Sequence, residues 1–310
     1  MPNSKNHHWW PKGVSSFWKD ADGCVARISP NGELLRQPPK NFGVIGHGHS
    51  IKLGRKPGDS TAFDYNFESE FQHADDNFPS TIRWLEGLER ESRPNESILT
   101  NRFLTQDDPE EKLSLLVEGL ISLAIRGPMY RSAAVRLAEH FRGPLPTRER
   151  NALVGLNMHG HQRTFVTAIG TRGKFAVIYS PERELIFGDG FFHNITSPAG
   201  APYSPKILVP LTPNISVLFA RPSIYTTKPR LSTLVITPDE AERLNQTVQI
   251  YAKEMLFYRS EKPTIIDEFR QNQHLQYGEP NPIDVLIHSI PGVPPRDGSL
   301  DFLLAPNGLN

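Results

Sequence analysis

The sequence predicts an α+β fold in which a helical middle segment lies between an N-terminal β-hairpin region and a later small antiparallel or mixed sheet, with a C-terminal helix. Two observations predict this class. Strand patterns, helix patterns, further strand patterns and a last helix follow one another, without the regular alternation of a βαβ protein. At about 150 residues per domain, the 310 residues suffice for one or two domains with a sizeable core.

The N-terminal region is predicted to contain a short helix or turn and a β-hairpin. Residues 12–18 are compatible with helical or turn structure. Residues 24–29 and 33–36 are predicted as paired strands, because Asn31-Gly32 between them can adopt the positive φ angles of a tight hairpin turn. Residues 44–52 are expected to add a third strand.

The middle segment is predicted to be helical. Residues 67–90 have apolar side chains in helical phase, and Pro79 is expected to break or kink that helix. The next helix has Asp108 as its predicted N-cap and Pro109 at its first position. Two further helices are predicted, at 129–142 and from 148 to 158 or 165. The buried stripe of the helix after Pro109 consists of Leu113, Leu116, Leu120 and Leu123.

The later part is predicted to contain short strands, followed by a capped helix. Thr237-Pro238-Asp239-Glu240 has the pattern of a capping box, and the helix that it opens is expected to reach about residue 259. We therefore predict one α+β domain over residues 1–260, with a short helix and a Pro/Gly-rich tail over 261–310. The predicted strands are 174–179, 184–187, 207–210, 215–220 and 231–236.

The composition limits the classes of function. Lys and Arg total 34 and Asp and Glu total 34, so the formal net charge is zero. This balance argues against a mainly electrostatic nucleic-acid binder but is compatible with a local basic groove. The single cysteine, Cys24, excludes an internal disulfide and a cysteine-rich zinc module. The sequence has no Gly-x-Gly-x-x-Gly or Gly-Lys-Ser/Thr loop, so it does not favour Rossmann-type or P-loop nucleotide binding.

The sequence predicts a soluble protein of the cytoplasm. Its first residues lack the apolar segment of a secretory signal peptide. No stretch approaches the ~20 apolar residues that span a bilayer. We therefore expect no membrane partner.

Five motifs occur in order from residue 7 to about residue 260. They are an opening His-His-aromatic-aromatic-Pro with a later aromatic residue and an Asp/Gly turn, a Gln-Arg-Thr element, an apolar strand ending in Asp, a Pro-Leu-Thr-Pro segment and a last helix. In the sequence these are His7-His8-Trp9-Trp10-Pro11 with Trp18 and Asp20-Ala21-Asp22-Gly23, Gln162-Arg163-Thr164, Leu185-Ile186-Phe187-Gly188-Asp189, Pro210-Leu211-Thr212-Pro213 and residues 245–258.

Together these motifs resemble a bacterial family known as domain of unknown function 4238. That family ends its strand with Ser-Asp-Asn-Pro, whereas here Gly188 and Gly190-Phe191 surround Asp189. The family carries no settled activity. The resemblance therefore implies a shared fold and a possible site, and it implies nothing about the substrate.

Three residues in these motifs can carry chemistry. His8 can act as a general base near neutral pH. Arg163 has a planar, permanently charged guanidinium that suits phosphate or carboxylate. Asp189 lies between two glycines after an apolar strand, where a carboxylate can approach a ligand closely. The flanking residues expected to help in binding are His7, His161 and Gln162.

Each of these residues also has a structural interpretation. A histidine can hydrogen-bond a neighbouring element while the tryptophans after it anchor the N-terminus. Arg163 can tie a helix end to a carboxylate such as Asp189. Asp189 itself can be an ordinary turn residue.

Paired side chains with metal-like spacing also have ordinary explanations. Glu70-x-x-His73 has the spacing of a di-iron helix, but such a bundle needs a second pair. Two His-x-His pairs have no third ligand fixed by spacing. These pairs therefore define no set of metal ligands, and the sequence leaves the cofactor unknown. The two His-x-His pairs are His47 with His49 and His159 with His161.

The resulting hypothesis is a hydrolase acting on a phosphate ester, with nuclease-like activity. His8 would be the general base or a metal ligand, Arg163 would hold the anionic group, and Asp189 would orient the histidine or bind a metal ion. The partner would be a nucleic acid or a phosphorylated small molecule. The alternative is a non-enzymatic binding or regulatory module in which these residues form a structural polar network. Open, unpaired polar groups would favour the enzyme, and a closed, satisfied network would favour the alternative.

Overall fold

The computed structural model describes residues 6–46, 49–51, 65–195, 204–275 and 282–295, and its helices and strands form an α+β fold, as the sequence predicts. The helices are α1 (Lys12–Ser15), α2 (Ser69–Glu86), α3 (Glu110–Arg126), α4 (Pro128–Arg142), α5 (Thr147–Met158), α6 (His161–Ile169), α7 (Pro238–Tyr251), α8 (Asp267–Arg270) and α9 (Pro282–Ser289). The strands are β1 (Asn6–His8), β2 (Val25–Ile28), β3 (Leu34–Gln37), β4 (Val44–Gly46), β5 (Ser50–Ile51), β6 (Tyr65–Asn66), β7 (Leu104–Gln106), β8 (Lys174–Tyr179), β9 (Phe187–Gly188), β10 (Phe192–His193), β11 (Lys206–Thr212), β12 (Ile215–Ala220), β13 (Leu231–Val235) and β14 (Leu256–Tyr258).

A mixed sheet with the strand order β10-β11-β12-β8-β13-β7 lies at the centre of the described chain. β8 and β13 run parallel, and the other neighbouring strands are antiparallel. β8, β11 and β12 are buried along their whole length, because helices cover both faces of the sheet. Alternate side chains enter different cores. Val177 packs in the core that contains the leucines of α3, and Ile178 packs in the core that contains Leu244 of α7 and Ile283 of α9.

The predicted hairpin forms β2 and β3, which pair from Val25 with Gln37 to Ile28 with Leu34. The strands in the 44–52 range pair elsewhere. β4 pairs with β1, and β5 pairs with β6. β14 occupies the other edge of β2, so the order of this second sheet is β3-β2-β14-β9. The expected third strand of the hairpin therefore comes from the far end of the chain.

The predicted helices form, with two differences at prolines. α2 is one helix that continues through Pro79, where a break or a kink was expected, so no break occurs there. Proline cannot donate to the carbonyl of Asp75, and α1 packs closely there, since a Cβ on Gly13 would lie 3.0 Å from that oxygen. At the start of α3 the N-cap position belongs to Pro109, with no side-chain cap. The carboxylate of Asp108 instead pairs with Lys228 and Arg230, at 2.7 and 2.8 Å.

The helix predicted from residue 148 ends at Met158, which is the earlier of its two predicted ends. A separate helix, α6, begins after Gly160, which has a left-handed φ of 77°. The capping box at Thr237 is confirmed, because its side chain accepts from the Glu240 amide and Glu240 returns the bond. The helix that it opens ends at Tyr251, and residues 256–258 form β14 instead. In the described ranges no single helix is long and apolar enough to cross a membrane, and α3 and α4 meet that criterion only as a bent pair.

The N-terminal segment is anchored to both sheets by its tryptophans. The ring of Trp10 is fully buried and stacks on Phe187 of β9, with 4.7 Å between the ring centroids. The indole of Trp18 donates to the carbonyl of Leu211 at 3.0 Å. This anchoring, together with the β1–β4 pairing, fixes the backbone that carries His7 and His8.

Candidate functional site: a histidine–glutamate cluster at the start of α2

Five side chains from four distant parts of the chain meet where α2 begins. His7 comes from β1, His49 immediately precedes β5, Glu68 and Glu70 lie at the first turn of α2, and His159 follows α5. His7 contacts both Glu68 and His49, and Glu70 contacts His159. The ring of Phe67 contacts both His49 and His159 and so connects the two sets. We refer to these five residues as the histidine–glutamate cluster.

His7 is fully buried, and each of its two ring nitrogens faces a group of a neighbouring element. Its Nδ1 accepts a hydrogen bond from the backbone N–H of His49 at 2.7 Å. A neutral imidazole that accepts at Nδ1 carries its proton on Nε2. The Nε2 atom lies 3.4 Å from a carboxylate oxygen of Glu68, whose side chain is 41% exposed. His7 therefore connects the buried interior to a carboxylate that reaches solvent.

His49 is the neutral, buried partner of His7. The two rings are parallel within 3°, with 5.0 Å between their centroids. The phenyl rings of Phe67 and Phe71 pack against His49. Burial lowers the pKa of His49 well below its usual range, and the charge of Arg126 lowers it further. Within the described ranges no group hydrogen-bonds to its Nδ1.

Glu70 and His159 form the second histidine–carboxylate pair of the cluster. The Nδ1 of His159 lies 2.7 Å from one oxygen of Glu70, and the other oxygen accepts from the backbone N–H of Gly160 at 3.0 Å. The carboxylate is thus held in place, while the His159 side chain is 42% exposed. The Phe67 ring lies 5.9 Å from His49 and 5.8 Å from His159, so it is in contact with both.

An ion pair between α3 and α2 supports the cluster. Arg126 at the end of α3 donates two hydrogen bonds to Asp75 of α2, at 2.9 and 2.6 Å. The same guanidinium donates to the carbonyl of His8 at 3.4 Å and lies over the ring of Phe71. Arg126 therefore ties α2, α3 and β1 together, and this role belongs to a residue that sequence reasoning did not single out.

His161 and Gln162, both predicted to help in binding, pack α6 against its neighbours. His161 hydrogen-bonds through Nδ1 to the hydroxyl of Tyr130 on α4. Burial lowers the pKa of His161. The amide of Gln162 donates to the carbonyl of Glu118 on α3 at 3.1 Å. Its Oε1 atom is buried, and no donor of the described ranges reaches it.

Asp189 lies in a closed turn beside β9. Its two carboxylate oxygens accept from the backbone N–H groups of Lys253 and Glu254, at 2.8 and 3.0 Å. Burial raises the pKa of Asp189 to about 6, and the amide hydrogen bonds oppose that rise. The flanking Gly190 is needed here, because a Cβ at that position would lie 2.0 Å from the carbonyl oxygen of Tyr251. These contacts match the structural interpretation of Asp189.

His8 and Arg163, the other two predicted catalytic residues, lie on different elements. His8 is half-buried in β1, and Arg163 is exposed on α6. Over the described ranges no hydrogen bond, ion pair or ring contact joins any two of His8, Arg163 and Asp189. The structure instead brings the N-terminal His-His motif to the start of α2.

The paired residues with metal-like spacing have separate partners. Glu70 binds His159, whereas His73 pairs with Glu118 at 2.8 Å. In the part of the chain that the structure describes, no group of three or more His, Cys, Asp or Glu could hold a metal ion. His47 lies outside the described residues, so the His47/His49 pair is not described as a whole.

The cluster contains residues that the sequence signalled only weakly. His49, Glu70 and His159 attracted attention as components of metal-like pairs, although each one bonds to a residue far away in sequence. Glu68 gave no signal, because its partner His7 is 61 positions earlier and no spacing rule connects them.

The surface beside the Asp189 turn has a groove of about 630 Å³. It is lined by the β2–β3 turn, Glu254 and Arg270, and by no residue of the cluster. Comparisons with models of protein families, with curated proteins and with solved structures gave no match. The interpretation of the cluster therefore rests on its own geometry.

Proposed function

We propose that the protein is a hydrolase acting on a phosphate ester, with nuclease-like activity, and that the histidine–glutamate cluster is its acid–base site. One observation carries the proposal. The ring of Phe67 contacts His159 of one histidine–carboxylate pair and also contacts His49, which stacks on His7 of the other pair. Each pair has a member that is about two-fifths exposed, namely Glu68 and His159. Such pairs are the usual means of moving a proton to and from a reacting group.

The proposed reaction uses Glu68 as the general base and His159 as the general acid. Glu68 takes a proton from water, and the water oxygen attacks phosphorus. The bond from phosphorus to the leaving oxygen breaks, and protonated His159 gives that oxygen its proton. The products are a shorter phosphate ester and an alcohol. Glu70 and His7 position the two reacting groups, since Glu70 binds His159 and His7 lies against Glu68.

His8 and Arg163 are proposed to contact the anionic group of the substrate. His8 adjoins His7 in β1, and Arg163 follows His159 by four residues. Over the described ranges no carboxylate pairs with the guanidinium of Arg163, so it is free to bind phosphate. A cytoplasmic location is part of the same proposal.

The test is hydrolysis by the purified protein of a chromogenic phosphodiester, a chromogenic phosphomonoester and a labelled oligonucleotide. E70Q is compared with E118Q, because Glu70 and Glu118 each accept from a histidine Nδ1 at nearly the same distance, 2.7 and 2.8 Å. We expect E70Q to lower kcat about 100-fold and E118Q to leave it within about two-fold. Equal rates for the two variants would exclude the cluster as the site.

A second candidate function is a non-enzymatic binding or regulatory module. The closed contacts of Asp189 and the complete burial of His7 favour it, because a satisfied buried network can serve to hold a fold together. A folded wild-type protein that hydrolyses none of the three substrates would support this alternative.

A further inference from the structure

The α4–α5 hairpin is strongly basic, although the chain as a whole is neutral. Residues 128–158 contain five arginines, two glutamates and no other charged residue, so the hairpin carries a net charge of +3. Because the formal net charge of the whole chain is zero, the remaining residues carry −3. This asymmetry marks the hairpin as a surface for an anionic partner.

Two of these arginines form ion pairs with glutamates of the hairpin, and two others have no carboxylate partner in the described ranges. Arg142 pairs with Glu149, and Arg150 pairs with Glu139, which uses both glutamates. On the helices of the hairpin, Arg136 and Arg148 have no ion-pair partner among the residues that the structure describes. A guanidinium without a carboxylate partner retains its donors for phosphate.

Exposed apolar and aromatic side chains accompany the free arginines. Leu137 and Phe141 are 71% and 76% exposed, and they lie one turn apart on α4. The exposed ring of His140 packs edge-on against Phe141, with 5.2 Å between the centroids. Flat rings beside unpaired guanidinium groups are the arrangement on which unpaired bases stack while the phosphates are neutralised.

The hairpin is also connected to the histidine–glutamate cluster. α5 ends at Met158, immediately before His159 of the cluster, and the start of α4 contacts α6 through the hydrogen bond between Tyr130 and His161. A strand bound along the hairpin could therefore be continued toward the exposed imidazole of His159.

We propose that the α4–α5 hairpin is a docking surface for a single-stranded nucleic acid. Its docking residues are Arg136, Leu137, His140, Phe141 and Arg148. Phosphates bind to the two arginines, and bases stack on Phe141 and His140. That a bound strand is then cleaved at the histidine–glutamate cluster rests on the proposed function. Binding of the strand is measured independently of cleavage.

The test is fluorescence anisotropy with a labelled 20-nucleotide single-stranded DNA and the full chain, over a range of salt concentrations. We expect R136E/R148E to weaken binding at least ten-fold. Loss of two phosphate contacts should also lower the salt slope by about 1.4. F141S should weaken binding about ten-fold with an unchanged slope, because stacking releases no counterions.

The matched control is K19E/K40E, which changes the net charge by the same amount at two exposed lysines outside the hairpin. Its affinity should stay within about two-fold of the wild type. Circular dichroism confirms that each variant is folded, and a denaturing gel shows whether the oligonucleotide is cut. Binding without cutting supports the docking surface and counts against the hydrolase. Cutting with an unchanged affinity of R136E/R148E overturns the docking surface alone.

Three other results would also overturn the proposal. The first is equal weakening by R136E/R148E and K19E/K40E, which would indicate non-specific charge attraction. The second is tighter binding of a duplex of the same length than of the single strand. The third is binding to vesicles that contain phosphatidylglycerol without binding to the oligonucleotide, which would make the hairpin a membrane-docking surface.

Discussion

The histidine–glutamate cluster and the Asp189 turn both contain buried ionisable groups, but they satisfy these groups in different ways. In the turn, both oxygens of Asp189 accept from fixed backbone amides. In the cluster, the carboxylates face imidazoles, and Glu68 and His159 extend into solvent. A carboxylate held by amides stabilises a backbone conformation. A carboxylate that faces an imidazole can share a proton with it, which is a requirement for acid–base chemistry.

The two regions also respond oppositely to pH. Burial keeps His49 neutral, with its pKa well below the usual value, and burial raises the pKa of Asp189 to about 6. Both shifts disfavour the charged form. Acidification therefore lowers the contribution of His49 to the free energy of unfolding, whereas a rise toward neutral pH lowers the contribution of Asp189.

The largest expected effect on stability comes from breaking the ion pair between Arg126 and Asp75. D75A leaves the Arg126 guanidinium buried without its carboxylate. We expect the free energy of unfolding to fall by about 3 kcal/mol. This is the low end of the range for buried pairs, because the Asp75 side chain is 34% exposed. Urea denaturation measures the change. D75A/R126M should recover part of the loss, and a D75A protein as stable as the wild type would contradict this role of Arg126.

A smaller effect is expected in the turn. D189A removes the acceptor of the Lys253 and Glu254 amides, so two part-buried backbone donors lose their hydrogen bonds. The expected loss is about 2 kcal/mol in the free energy of unfolding. Thermal and urea unfolding both report it. No loss at all would mean that the turn does not depend on this carboxylate.

The pH dependence of stability should differ in sign between the regions. Unfolded His49 binds a proton below about pH 6.5 that the folded form excludes, so H49F should gain stability relative to the wild type as pH falls from 7 to 5. Folded Asp189 retains its proton up to about pH 6, so its contribution is lost as pH rises through that value. D189N should therefore gain stability relative to the wild type as pH rises from 4 to 7. Denaturant titrations across this range test both trends, and trends of equal sign would contradict the comparison.

The smallest expected effect concerns a histidine–glutamate pair outside the cluster. His73 pairs with Glu118, but its side chain is 66% exposed. H73A should change the free energy of unfolding by less than about 0.5 kcal/mol, because exposed pairs contribute little. A loss of more than about 1 kcal/mol in urea denaturation would show that this surface pair is structural.

Local rules predicted most elements of the fold from the sequence. The hairpin at Asn31-Gly32, the buried leucines of α3 and the capping box of Thr237 each depend on residues a few positions apart. The prediction for residues 44–52 had the wrong partner, because the partner of β2 is β14, more than two hundred residues later. Asp108 was predicted to cap α3, but it binds two basic residues on a distant segment.

The site was harder to predict, because its pairs are all long-range. The sequence pointed to His7 and His8, and the structure gives His7 a partner, Glu68, that no motif contains. It also pointed to Asp189, whose chemistry depends on whether amides surround the carboxylate. That information is absent from a motif, since the amides come from residues 253 and 254.

The most direct test compares H159A and D189A in the same two measurements, kcat for phosphodiester hydrolysis and the midpoint of thermal unfolding. For H159A we expect kcat to fall by about 100-fold or more, with a midpoint close to that of the wild type. For D189A we expect a midpoint several degrees lower, about what a loss of ~2 kcal/mol implies, with kcat retained by the folded protein. A D189A protein that is stable but inactive, beside an H159A protein that is fully active, would contradict the account.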